Sequence, residues 1–136
     1  MFPPPLKVGY PTDQPTGLGS VVLIQTLVIE HDGTNPAIAE LRMPHRYQVL
    51  DFIFDVRIAF NSATSATGTA GLSAGGSEFA SGVDCKVAGR ARPIFTAAQL
   101  NAHIQQGTLP VFITITPSGA TTAGRVRLTM YYAHLG

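Results

Sequence analysis

The sequence predicts an all-β domain: an antiparallel β-sandwich, jelly-roll-like in its winding, with one short helix and an extended Pro-rich N-terminal arm. Three observations carry that prediction. Long stretches alternate apolar and polar residues with period two, the pattern of half-buried strands. Turn formers such as Asp32-Gly33, Asn35-Pro36 and Pro117-Ser118-Gly119 separate those stretches. Only the segment from Thr96 to Ile104 has the start signals of a helix.

The arm comes first. Residues 1–20 contain five of the ten prolines (Pro3, Pro4, Pro5, Pro11 and Pro15), together with Gly9, Gly17 and Gly19. Proline fixes φ and lacks an N–H, so this stretch is expected to be extended, near polyproline II. Phe2, Leu6, Val8 and Tyr10 give it apolar groups to bury, on its own domain or on a neighbour. Residues 21–136 form the single sandwich domain, a length that holds a core without metal or disulfide staples.

Val21 to Glu30 is β-branched and apolar and predicts the first strand, ended by the turn from His31 to Pro36. Ala37 to Met43 predicts a second, stopped by Pro44. From Tyr47 to Phe60 the alternation is clearest. Leu50, Phe52, Phe54, Val56, Ile58 and Phe60 share one face, and Val49, Asp51, Ile53, Asp55, Arg57 and Ala59 the other. This segment is longer than the common strand, so it either bends at a bulge or projects beyond the core. Asn61 to Gly76 is rich in Ser, Thr, Ala and Gly and holds a weak strand near Thr69 to Ser73. Glu78 to Val87 holds another, and residues 88–93 cross to the helix. Thr96 and Gln99 make a T-x-x-Q capping box, and Phe95 with Leu100 fits a hydrophobic staple, for a helix from Ala97 to about Ile104. Val111 to Thr116 and Gly124 to Ala133 alternate again and close the domain.

Charged residues make up 12% of the chain, against about 25% in an ordinary soluble domain. The net charge of +1 gives no reason to expect nucleic acid or an anionic membrane as partner. No apolar run approaches the length of a membrane span, and the N-terminal residues lack a signal-peptide pattern. One cysteine, Cys85, makes no internal disulfide. All eight acids precede it; with Lys7, Arg42, Arg46 and Arg57 they leave residues 1–84 at −4. Lys86, Arg90, Arg92, Arg125 and Arg127 give residues 85–136 a charge of +5. Either the halves interleave and neutralise each other, or an acidic surface meets a basic one on a neighbouring copy.

Catalytic constellations are missing from the sequence: there is no phosphate-binding glycine loop, nucleophile elbow or zinc-protease motif. His31, His45, His103 and His134 lie in separate segments and read as surface histidines. Asp51 and Asp55 share a strand face about 13 Å apart, beyond a glycosidase pair, and read as cross-strand partners of arginines such as Arg125 and Arg127. Arg90 and Arg92 could bind a phosphate or a sugar acid, or meet carbonyls or carboxylates of their own chain. The prediction is a non-enzymatic module without cofactor or metal.

One resemblance adds to this. The stretch from Phe79 to Arg90, the stretch from Phe95 to Leu100, and the run from Ile113 to Val126 with its following strand resemble small β-sandwich virion structural proteins of tailed bacteriophages. The likeness spans roughly residues 47–133 and is one of strands and turns. Proteins of that kind decorate capsids, build head spikes or serve in tails and fibres. The resemblance implies a capsid decoration or cement protein, made in the host bacterial cytoplasm and residing on the capsid surface of the virion. Its expected partners are copies of itself, as a trimer or other cyclic oligomer, and the major capsid protein or other virion proteins. The expected interface is Phe2, Pro3, Pro4, Pro5, Leu6, Val8 and Tyr10, with Arg90 and Arg92 as loop contacts. The alternatives are a tail or fibre module that binds host glycan through residues 61–76 and 88–93, and a neck or tail connector.

Overall fold

The computed structural model describes residues 21–135; the arm expected over residues 1–20 lies outside them. Nine strands and one short helix follow in the order β1 (Val22–Glu30), β2 (Ala37–Leu41), β3 (Tyr47–Ile58), β4 (Ala66–Gly71), β5 (Ala80–Asp84), β6 (Gly89–Ala91), α1 (Ala97–Ala102), β7 (Ile104–Gln105), β8 (Val111–Pro117) and β9 (Arg125–His134). They form an all-β sandwich of two antiparallel sheets. The larger has the order β1-β9-β3-β6, with β7 also pairing β3, and the smaller β2-β8-β4-β5.

The pairing is nested. The first strand pairs with the last, β2 with β8, β3 with β6 and β4 with β5. The chain is therefore one long antiparallel ribbon folded over on itself, and each sheet takes alternate segments of it.

Period two fills the space between the sheets. Val111, Ile113 and Ile115 of β8 face Val126, Leu128 and Met130 of β9, with Tyr47, Val49, Phe52, Phe54 and Val56 of β3 beside them, all buried. On β4 the inward positions are Ala66, Gly68 and Ala70, all small and buried. A Cβ on Gly68 would lie 2.9 Å from the Phe54 ring, so only glycine fits there.

The long third strand departs from strict alternation. Register shifts between Val49 and Asp51 and between Val56 and Ile58 insert extra residues against β9. Leu50 is therefore turned outward, 37% exposed, while its neighbour Val49 is buried, the reverse of the expected faces. Ile58 is exposed for the same reason. β4 begins earlier than expected and ends before Leu72, and β6 and β7 are additions that no apolar run announces.

The helix starts as its sequence predicts. The Thr96 hydroxyl accepts from the Gln99 N–H at 3.1 Å, and the Gln99 side-chain oxygen accepts from the Thr96 N–H at 3.0 Å. It stops earlier, at Ala102, because Ile104 and Gln105 leave to pair with β3. The expected staple does not form: Leu100 is exposed, and Phe95 packs edge-on against His103 and Phe52 instead.

Candidate interaction surfaces

Three surfaces stand out. The first is the outer face of the larger sheet. Register places Asp55 between Arg127 on β9 and Arg90 on β6, and Asp51 beside Tyr131. Arg90 donates to Asp55 at 2.7 Å, and Arg92 lies 3.6 Å from Asp51. At the far end of the sheet Arg125 meets Glu30 at 3.0 Å. The carboxylate beside Arg90 holds that guanidinium above its ordinary value. The carboxylates of β3 thus take their ion pairs from Arg90 and Arg92, on the side of β6, rather than from Arg125 and Arg127 on β9, and Arg125 is engaged with Glu30.

These pairs also bear on the charge asymmetry. Each of the three joins a residue before Cys85 to one after it, so the two halves of the sequence neutralise each other within one chain on this face. Arg90 and Arg92, candidate contacts for an outside anion, are engaged with Asp55 and Asp51.

The second surface is the edge strand β1. Its inward side chains are Leu23, Gln25, Leu27 and Ile29, of which only Ile29 is fully buried. Gln25 fastens the strand across the sandwich, donating to the Arg42 carbonyl at 2.8 Å and to the Tyr132 hydroxyl at 3.3 Å. The outward side chains Val22, Ile24 and Val28 are each more than half exposed. The most apolar run of the sequence is therefore a strand with one buried residue in nine.

The third is an open, shallow cleft of about 440 Å³ at one end of the smaller sheet, lined by Thr64, Ser65, Ala66, Thr67, Gly82, Asp84, Lys86 and Val87. The Asp84 carboxylate accepts the Lys86 N–H at 2.9 Å, and the Lys86 ammonium is turned onto the Ser62 carbonyl.

Elsewhere the reactive groups are used for packing. Cys85 is buried, and burial with the neighbouring Asp84 charge pushes its thiol up to about 12, so it carries no thiolate near neutrality. Burial likewise raises Tyr47 to about 12; its hydroxyl donates to the Leu109 carbonyl at 2.9 Å. His103, expected at the surface, is only 3% exposed. Its Nε2 lies 2.9 Å from the Phe79 carbonyl, so that nitrogen carries the proton. The signal for this was in the sequence: His103 is four residues after the capping Gln99, on the same helix face. Among the described residues no three His, Cys, Asp or Glu side chains gather where a metal ion would fit. No helix among the described residues is long and apolar enough to cross a membrane. No family model, curated protein or solved structure matches the chain.

Proposed function

We propose that this protein is a non-enzymatic structural component of a bacteriophage virion, a capsid decoration or cement subunit bound to the head shell. The observation that carries the reading is the nested strand order, first with last and inward to β4 with β5. It supports a jelly-roll winding, an architecture used by viral capsid domains. The low charge, the tightly packed core and the uncovered apolar edge β1 suit a subunit that buries surface in an assembly. In this reading the subunit associates with copies of itself and with the shell, and the segment Phe2 to Tyr10 makes the attachment. An extended proline-rich segment loses less conformational entropy on docking than a flexible one.

Mass spectrometry of purified virions of the encoding phage tests the assignment. Copy numbers matching the shell are expected; a few copies per particle point to a vertex, neck or tail, and absence from the particle overturns the reading. Deleting residues 2–15 is expected to lower capsid occupancy, and unchanged occupancy removes the arm from the interface.

The cleft beside Asp84 favours a second reading, a tail or fibre module for host glycan, since jelly rolls also serve as lectins. Binding of the purified protein to a glycan array, lost on Asp84→Ala, distinguishes it from shell decoration.

A further inference from the structure

We propose that β1 is a self-association edge, at which two copies pair antiparallel about a two-fold axis at Thr26 and join their larger sheets into one. The inference stands on the geometry of the edge and does not depend on the virion reading.

Among the described residues the four sheet edges are not alike. An open strand edge invites pairing, and proteins blunt it with shortness, charge or irregularity. The edge strand β2 has five residues, with Glu40 within it. β5 also has five, with Gly82 at φ +72° and a register shift against β4. β6 has three, centred on Arg90. β1 has none of these devices. Its nine residues run in unbroken register with β9, without glycine or proline, and the one charge is Glu30 at its end.

The strand is also complementary to itself. With the axis at Thr26, all nine residues pair. On the outer face Ile24 meets Val28 of the second copy, twice by symmetry, and the two Thr26 side chains meet at the axis. Ile24 and Val28 are 55% and 56% exposed in the single chain, so this contact covers both. On the inner face Leu23 meets Ile29 and Gln25 meets Leu27. Aliphatic pairs and Thr–Thr pairs directly opposite are favourable cross-strand neighbours. Glu30 falls opposite Val22 of the second copy, and the two Glu30 carboxylates lie about 27 Å apart. Each keeps its own Arg125. An axis normal to the sheet leaves both core-facing surfaces on the same side, so the two smaller sheets continue side by side.

The N-terminal segment is a poorer occupant of this edge. Its prolines interrupt the row of N–H donors, and no proline-free run within residues 1–20 exceeds five residues. A second β1 offers a nine-residue edge without proline, on which the alternate N–H groups that do not bond β9 form an uninterrupted row.

Sedimentation velocity on the full chain tests the proposal, with wild type expected to be dimeric. Ile24→Glu with Val28→Glu sets like charges opposite each other across the axis and is expected to weaken dimerisation by about tenfold or more. The thermal midpoint of the monomer should be unchanged, because both positions are exposed and Val28 lies beside Arg127 of its own chain. Ile24→Lys with Val28→Glu places the new lysine of one copy against the new glutamate of the other and is expected to restore the dimer. A monomeric wild type, an oligomer that the double glutamate leaves intact, or identical behaviour of the two double variants overturns the proposal. Deleting residues 2–15 should leave the dimer intact, which separates this edge from the attachment role of the arm.

Discussion

The two sides of the sandwich are finished in opposite ways. On the side of β5 and β6, α1 and its flanking residues bridge the sheets. Gln99 donates to the Ser77 carbonyl and the Ser81 hydroxyl, both at 3.1 Å, and His103 bonds the Phe79 carbonyl. The His103 carbonyl in turn accepts from Val49 on β3 at 2.8 Å, and Phe95 closes over Phe52. On the other side β1 is tied inward mainly through Gln25, while its outer side chains face solvent. Directional bonds complete the first side within the chain. The second retains a full strand's capacity to pair. Because sheet edges left open in this way invite pairing, this is the edge on which the proposed self-association rests.

The largest effect should come from opening the closed side. His103→Ala removes a buried ring and leaves the Phe79 carbonyl without its donor, so a loss of about 3 kcal/mol is expected in chemical denaturation. Val28→Ala on the open side should change stability by less than about 0.5 kcal/mol, since its side chain is exposed. Equal costs at the two positions would erase the contrast.

The second effect depends on pH. The Cys85 thiol and the Tyr47 phenol are held neutral in the fold, each raised to about 12 from ordinary values of 9.0 and 10.0. Above about pH 9 the unfolded chain releases these protons while the folded chain keeps them, so stability falls as pH rises. Between pH 8 and 10.5 the cysteine alone should account for about 2 kcal/mol of that loss. Cys85→Ala should be less stable at pH 8 yet lose less on going to pH 10.5. Parallel profiles for the two proteins would show that burial of the thiol does not carry the alkaline sensitivity.

The same division explains what could be read from the sequence. β8 and β9 alternate cleanly because each keeps one face on the core throughout, and their limits emerge from the pattern to within a residue. The capping box was legible because its bonds are local. Bulges are not local: Leu50 continues the alternation in sequence, and only the shifted register with β9 turns it outward. β6 is Gly-Arg-Ala, with no apolar signal, and exists because β3 offers it an edge. Of the candidate contacts, Arg90 and Arg92 pair with carboxylates that were legible as partners of arginines, though of different ones. The apolar richness of Val22 to Ile29 marks a strand from composition alone, without saying which of its faces are covered. Its exposure follows from its place at the end of the strand order, which only the fold reveals.

The smallest effects separate local from surface contributions. Thr96→Ala removes the hydroxyl that caps α1 and should cost about 1 kcal/mol, detected as a lower thermal midpoint. Because Gln99 also holds Ser77 and Ser81, the helix should stay docked. Glu30→Gln tests the open side. The pair with Arg125 is about half exposed on both partners, so its loss should change stability by no more than about 0.5 kcal/mol. Its place at the end of β1 makes it a test of assembly as well. In the two-fold pairing Glu30 lies at the end of the seam, opposite Val22 of the second copy, and keeps its own Arg125, so neutralising it removes no contact between the copies. Glu30→Gln should therefore leave the dimer in sedimentation within about twofold of wild type, whereas a weakened dimer would place the carboxylate among the contacts that hold the copies together.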